Sequence, residues 1–230
     1  MFNKFSCNAS NSTPYFCCMI TKLKVKVMER LTQLLSTLDA NSSVDSIKST
    51  FSKIADILLF KSYIKTAKSK YRILELEFYF KNTNHDDNVT IERTEDAGMW
   101  WLHDYGVDLS FKSDESKMFY GGILIRSIVP INEVNSQLYE EKAIFGPRNC
   151  CWSLFYSSAL EHNMAPQIVM NDGTSRHIGK MESTTRHLTG KPKKEDGDYR
   201  DSPYRFYVKD LNLKVDSKYK EASPWKNGII

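Results

Sequence analysis

The 230-residue sequence has no apolar run that approaches the roughly 20 residues of a membrane-spanning helix. Residues 1–27 contain only Cys17-Cys18-Met19-Ile20 as an apolar group, which is too short for the core of a secretory signal. The five cysteines include two adjacent pairs and no C-x-x-C motif, so they predict neither a disulfide framework nor a zinc site. We therefore expect a cytoplasmic, intracellular protein with reduced thiols and no membrane partner.

The sequence also has no internal repeats and no segment with the composition of an interdomain linker. This argues against a repeat or multidomain architecture. Residues 28–230 are expected to form one domain. Residues 1–27 are polar and without periodicity, and they are expected to be a poorly ordered extension or a misassigned start. A hydrophobic content of 41% and an aromatic content of 12% can build a core and exclude a disordered chain. The net charge of +4 permits a polyanionic partner without requiring one.

The spacing of the apolar residues predicts both helices and strands. Leucines at helical spacing after Met28 predict one helix, and a second is predicted over 47–59, after a break with capping residues at 41–43. A short helix is predicted at 149–160, and the polar region 171–202 is predicted to be a loop or a binding surface. Alternating or β-branched segments predict strands at 72–80, 99–102, 107–111, 123–130 and 202–209.

The segment Arg72–Phe80 has the most unusual pattern. Strand alternation gives it one apolar face of leucine and phenylalanine, and an opposite face with Ile73, Glu75, Glu77 and Tyr79. Two rises of roughly 3.3 Å place the carboxylates about 7 Å apart. Carboxylates in an apolar strand are unusual unless they are paired with a cation or have a functional role. Our hypothesis is that Glu77 takes part in a chemical reaction. Arg126 lies inside another apolar strand, where it requires an anion, and Glu77 or Glu75 is the obvious partner.

Two groups of basic residues have an open interpretation. The run from Lys61 to Arg72 is either a solvated face or a phosphate contact. The late cluster is either part of a solvated loop or a set of DNA phosphate ligands, namely Arg186, Lys191, Lys193, Lys194, Arg200 and Arg205. His85 precedes Asp86 and Asp87, but no second ligand group lies at the proper spacing, so no metal is expected.

Several motifs occur in an order that resembles a known family. The E-x-E-x-Y strand (Glu75, Glu77, Tyr79) is followed by His85, Arg93-Thr94, Tyr105-Gly106 and the strand Ile-Leu-Ile-Arg-Ser-Ile-Val-Pro around Arg126. The last two motifs are Gly146-Pro147-Arg148-Asn149-Cys150 and Pro203-Tyr204-Arg205-Phe206-Tyr207-Val208. This ordered set, over residues 50–210, is similar to the alkyladenine (3-methyladenine or methylpurine) DNA glycosylase family.

The resemblance implies the α+β class, with a single mixed domain built on a curved, mostly antiparallel sheet flanked by helices, and no metal or cofactor. It implies a monomeric, nucleoid-associated enzyme of DNA base excision repair. Such an enzyme flips a damaged or alkylated purine out of double-stranded DNA and cleaves its N-glycosidic bond with an activated water. The family also brings backbone against this water, in the region that Arg186-His187-Leu188 occupies here.

The resemblance assigns roles to individual residues by position. Glu77 matches the general base that activates the water, and Arg126 matches the arginine that helps to hold it. Tyr79 and His85 match residues that sandwich or contact the flipped base. Tyr105, at the tip of a hairpin, matches the side chain that wedges into the gap left in the duplex.

Three positions depart from the family pattern. Leu102 replaces the tyrosine that precedes the wedge by three residues, Lys112 falls at about the position of a base-discriminating asparagine, and Asp108 replaces an aromatic residue. The missing wall of the base sandwich could come from a nearby ring: Trp100, Trp101 or His103. For the two tryptophans, core packing is an equally open interpretation. Two alternatives follow, a relative that binds nucleic acid without cleaving it and an enzyme with another nucleoside or base as its substrate.

Overall fold

The computed structural model describes residues 28–131, 143–156, 164–171, 179–188, 198–211 and 224–225. The predicted extension over 1–27 and three predicted DNA-binding residues, Lys191, Lys193 and Lys194, lie outside the described residues. Within the described part, the chain is a mixed α+β structure in which helices accompany a curled antiparallel sheet. No helix of that part combines the length and the apolarity that crossing a membrane requires.

The described residues contain three α-helices, α1 over 28–37, α2 at Val44–Phe60 and α3 at Pro147–Phe155. Ser43 caps α2, because its side chain accepts a hydrogen bond from a backbone N–H of the first turn at 3.3 Å. One side of α2 is apolar at helical spacing and is fully buried, with Ile47, Phe51, Ile54 and Leu58. The two predicted N-terminal helices and the break between them are therefore confirmed.

Nine strands of the described chain form one sheet. In chain order they are β1 (Ser62–Lys65), β2 (Lys70–Lys81), β3 (Trp100–His103), β4 (Gly106–Ser110), β5 (Tyr120–Pro130), β6 (Ile144–Phe145), β7 (Gln167–Met170), β8 (Lys180–Thr184) and β9 (Arg205–Lys209). The main path is β3-β4-β5-β2-β1-β7, with β6 on β5, β9 on β2 and β8 on β9. All of these pairings are antiparallel.

The strand β2 contains the predicted strand 72–80 and lies in the interior of the sheet. It pairs with β5 from Tyr71 to Lys81 on one side, and with β1 and then β9 on the other. The sheet curls so that the two ends of its path are joined. The indole Nε1–H of Trp100 in β3 donates to the carbonyl of Pro166, immediately before β7, at 2.8 Å.

The apolar face of β2 forms the core with α2. Phe51 of α2 stacks on Phe78 of β2 with ring centroids 4.7 Å apart, and burying such a ring stabilises the fold by roughly 1.5–3 kcal/mol. The predicted alternation is wrong at Ile73, which belongs to this core. The pairing with β5 shifts register between Ile73 and Glu75, so the carboxylate face begins at Glu75.

The predicted loop over 171–202 is wrong in part, because Lys180–Thr184 form β8. This strand is polar and lacks a buried face, so it has no periodic signal. It forms because its backbone pairs with β9 along its whole length. The short strands β1 and β7 were also missed. The partner of β7 is β1, about 100 residues earlier in the chain, whereas β1 pairs both with β7 and with the adjacent strand β2.

The basic run that ends at Arg72 does not form one solvated face. Arg72 is fully buried, its Nε–H donates to the Leu59 carbonyl at 3.2 Å, and its guanidinium lies 5.5 Å from the centre of the Phe60 ring. Burial lowers the pKa of Arg72 to about 9. Arg72 therefore anchors the start of β2 to the end of α2 and is not a phosphate ligand.

Candidate active site

A buried cluster of charged side chains lies on the carboxylate face of β2. Glu75 and Glu77 come from β2, Arg126 from β5 and Arg205 from β9, and the strand pairings bring the four together. Glu77 is 0% exposed and Arg126 is 7% exposed. Two carboxylates and two guanidiniums balance each other, which makes burial of this cluster tolerable.

Glu75 connects the strands of the cluster. Its carboxylate accepts hydrogen bonds from the Arg126 Nε–H at 3.2 Å, the Arg205 Nε–H at 2.5 Å and the Ser127 hydroxyl at 2.5 Å. The Nη2 of Arg205 forms a further ion pair with it. Because these donors come from β5 and β9, Glu75 joins three strands and has a structural role.

Glu77 has a different set of partners. Its Oε2 accepts from the Arg126 Nη1–H at 3.0 Å and from the Tyr79 hydroxyl at 2.8 Å, and its Oε1 accepts from the His187 backbone N–H at 2.6 Å. Burial and the charge of Glu77 raise the pKa of Tyr79, so its hydroxyl keeps the proton that it donates. Burial alone would lower the pKa of Arg126, but the charges of Glu77 and Glu75 offset this, and the pKa is raised.

This geometry suits Glu77 to act on a proton or on a positive charge. An ionised carboxylate only accepts hydrogen bonds, and each oxygen has two lone pairs. At low dielectric it stabilises a nearby cation more strongly than it does in water, and it can take a proton from a water molecule. The backbone donor to Oε1 is His187, within the segment where the resemblance implies backbone beside the nucleophilic water.

A second polar group lies on the same face, about 10 Å from Glu77 at two strand spacings. Asp108 of β4 and Glu77 of β2 are opposite the same residue of β5. Directly opposed residues share a face of the sheet, so Asp108 and Glu77 lie on the same face. Asp108 accepts from the Arg93 Nη1–H at 2.7 Å and contacts His103 Nε2 at 3.1 Å. The Arg93 guanidinium also lies 3.9 Å from the centre of the Trp101 ring.

Gly122 leaves room for the Arg93–Asp108 pair. It lies on β5, opposite Tyr79 of β2 and Ser110 of β4. A Cβ atom at this position would collide with Arg93 Nη1 and would lie 2.6 Å from Asp108 Oδ2. A larger residue would therefore displace a buried ion pair, which explains why the strand has a glycine here.

The structure brings some of the predicted base-binding residues to the face of Glu77. Trp101 is opposite Asp108, and it stacks on His103 with centroids 4.7 Å apart. Tyr79 is half-buried beside Glu77. Tyr105 lies in the turn between β3 and β4 and is 57% exposed, at the predicted hairpin tip. The roles of these side chains in binding a base stay predictions.

The structure places His85 in the interior, which is a correction to the predicted base contact. Its Nδ1 is 2.7 Å from the Phe80 carbonyl, and its Nε2 is 2.8 Å from the Tyr204 hydroxyl. The imidazole also stacks on Tyr199 with centroids 3.8 Å apart. With both ring nitrogens bonded and the residue 0% exposed, His85 ties the turn after β2 to the segment before β9.

Arg186 and Arg205 are not on the surface, where the predicted phosphate contacts would require them. Arg186 forms a bidentate pair with Asp87, with N–O distances of 2.7 and 2.9 Å, and both side chains are 0% exposed. Arg205 is 5% exposed and is bound to Glu75. A guanidinium that is buried against a carboxylate of its own chain is not available to a phosphate, so these two assignments are wrong.

Three groups of the site were missed: the Asp87 carboxylate, the Ser127 hydroxyl and the His187 backbone N–H. Asp87 follows a polar turn and has the appearance of a solvated residue in the sequence. A backbone donor such as that of His187 leaves no signal in side-chain patterns at all. The family pattern pointed to the segment around His187, although not to this bond.

Among the described residues, no group of three or more His, Cys, Asp or Glu side chains is placed to hold a metal ion. No protein-family model and no curated protein matches the chain.

Proposed function

We propose that the chain is a DNA glycosylase-like hydrolase that removes a damaged or modified purine from double-stranded DNA, with the fold of the alkyladenine DNA glycosylases. The observation that carries this proposal is Glu77, a fully buried carboxylate held by Arg126, Tyr79 and the His187 N–H. The ordered motifs and the curled antiparallel sheet support the same fold. The chain would act as a monomer and without a cofactor.

In the proposed reaction, Glu77 takes a proton from a water molecule while the water oxygen attacks C1′ of the sugar. The N-glycosidic bond breaks, and the base leaves with the bonding electrons and takes up a proton from bulk water, while Glu77 returns its proton to the solvent. Positive charge builds on the sugar during this step, and the Glu77 carboxylate stabilises it. Oε1 is the oxygen that we assign to the water, since it accepts from one close donor while Oε2 accepts from two.

The substrate must leave the base stack before it can reach Glu77. Tyr105 is suited to fill the gap in the duplex, because it projects from a tight turn and is 57% exposed. Tyr79, Trp101 and His103 offer rings on the face of Glu77, and aromatic rings stack on a flipped base. The lysines of β2 are at its two ends, Lys70 and Lys81. We therefore assign the nucleophile to water and not to an amine.

A second candidate function, binding of nucleic acid without cleavage, is favoured by a specific observation. Both oxygens of Glu77 already have protein donors and the residue is 0% exposed, as in a purely structural ion pair. Leu102, where the family has a tyrosine, is 52% exposed and offers no ring. In this case the curled sheet would present Tyr105 to nucleic acid, and Glu77 and Arg126 would only stabilise the fold.

The test is a screen for base release from duplexes that contain hypoxanthine, ethenoadenine or a methylated purine. We expect free base and an abasic site, which alkali converts into a strand break, from at least one duplex. Because the nucleophile is water, borohydride should trap no covalent complex between protein and DNA. A duplex with an unmodified purine is the control. Salt-sensitive binding to all duplexes with no base release would refute the enzyme and favour the second candidate.

A further inference from the structure

Asp87 and Arg186 form an ion pair that fastens several distant segments to each other. Arg186 Nη1 donates to Asp87 Oδ2 at 2.7 Å and to the Phe78 carbonyl at 3.2 Å. Its Nη2 donates to Asp87 Oδ1 at 2.9 Å and to the Tyr199 carbonyl at 2.7 Å. One guanidinium thus connects β2, the turn after β2, the segment after β8 and the segment before β9.

This pair is adjacent to two of the groups that donate hydrogen bonds to Glu77. His187, the residue after Arg186, donates its backbone N–H to Glu77 Oε1 at 2.6 Å. The Arg186 guanidinium also lies 4.8 Å from the centre of the Tyr79 ring, and the hydroxyl of that ring donates to Glu77 Oε2 at 2.8 Å. The position of the His187 N–H and the orientation of the Tyr79 ring therefore depend on where Arg186 is held.

The two donors differ in what else fixes them. The segment 185–188 is outside the regular strands, so no ladder of strand hydrogen bonds fixes the His187 N–H. The backbone of Tyr79 is fixed by its pairing with β5, so the contact with Arg186 acts on the orientation of its half-buried ring. A bidentate Arg–Asp pair has a fixed planar geometry, and burial keeps water from competing for it. It is therefore suited to define the position of the adjacent backbone.

We propose that Asp87 and Arg186 are positioning residues for Glu77. Their ion pair keeps the His187 N–H on Oε1 and the Tyr79 hydroxyl on Oε2, so that the carboxylate has one orientation. The consequence for catalysis rests on the proposed function, whereas the consequence for the geometry at Glu77 does not. A positioned carboxylate matters because a displacement of about 1 Å in an active site can lower a rate by about 100-fold.

The geometric part is tested by NMR on the Asp87→Asn variant, which keeps the shape of the side chain and removes its charge. In the wild type we expect the His187 amide proton to be shifted downfield and protected from exchange, and to lose both properties in Glu77→Gln. Asp87→Asn should shift the same proton upfield and expose it to solvent. Glu182→Gln is the matched control, since it removes a carboxylate from β8, the strand that leads to Arg186, and should leave the His187 amide unchanged.

If Asp87→Asn does not fold, Arg186→Lys replaces it, because lysine keeps the charge and cannot form the bidentate pair. An unchanged His187 amide in a folded variant of either kind would overturn the proposal.

The catalytic part predicts that kcat for base release falls by up to about 100-fold while the affinity for DNA is retained. Full kcat with a displaced amide would overturn that part. An amide that responds as expected in a chain that releases no base would refute the proposed function and leave the positioning role standing.

Discussion

Replacing Glu75 by glutamine tests whether this residue holds the charged cluster together. The change keeps the size of the side chain and removes one negative charge from a site that is 2% exposed. Arg126 and Arg205 would then share the single carboxylate of Glu77, although Arg205 Nε is 3.7 Å from Glu77 Oε1 and is 2.5 Å from Glu75 Oε1. One buried guanidinium would be left without a close anion.

Leaving one partner of a buried ion pair uncompensated costs about 3–5 kcal/mol. A domain of 150–250 residues loses about 2–4 °C of midpoint temperature per kcal/mol, so Glu75→Gln should lower the thermal midpoint by about 6–20 °C. Differential scanning calorimetry or urea unfolding at neutral pH measures this loss. The control is Glu182→Gln, which removes a carboxylate that is 41% exposed and paired with Lys209, and which should change stability by less than about 0.5 kcal/mol.

A loss that is no larger in Glu75→Gln than in Glu182→Gln would refute the structural role of Glu75. It would mean that the cluster is hydrated or that Arg205 finds another anion. The same stability measurement on Glu77→Gln tests a different point, because we assign Glu77 a role as the general base. A large loss of stability in both variants would favour the purely structural interpretation of the pair.

Two further predictions concern the supports of the site. Gly122→Ala should destabilise the fold by about 1–3 kcal/mol in urea unfolding, because the new Cβ displaces the Arg93–Asp108 pair; an unchanged stability would show that this pair moves freely. Burial lowers the pKa of His85, so the unfolded chain binds a proton more readily, and stability should fall as the pH drops below the ordinary histidine pKa of about 6.5. His85→Gln should lose this part of the pH dependence of stability between pH 6.5 and 5. An equal pH dependence of stability in the variant and the wild type would contradict the lowered pKa of His85.

Much of the fold was predictable because its signals are local. Short segments of sequence contain the signals that predict these elements: the apolar spacing of α2, the hairpin β3–β4, and the strands β2, β5 and β9. The pairing of Arg126 with Glu75 and Glu77 was predictable for a related reason. An arginine inside an apolar strand requires an anion, and few carboxylates occur in strands.

The parts that were missed depend on contacts between distant positions. Asp87 and Arg186 are 99 positions apart, and each separately resembles a solvated residue. The outer strand β8 has a polar sequence and exists because β9 offers a free edge. His85 could not be recognised as a core residue, since its two partners are backbone at Phe80 and the Tyr204 hydroxyl, 119 positions away.

The measurement that tests the central claim most directly compares wild type and Glu77→Gln in single-turnover base release, with the protein in excess over a hypoxanthine, ethenoadenine or methylated-purine duplex. Loss of a general base lowers a rate by about 10²–10⁴-fold, so release should nearly vanish in the variant while binding of the same duplex persists. Unfolding of both proteins under the assay conditions serves as the stability control. Equal release rates for a folded Glu77→Gln variant and the wild type would contradict the assignment of Glu77 as the general base.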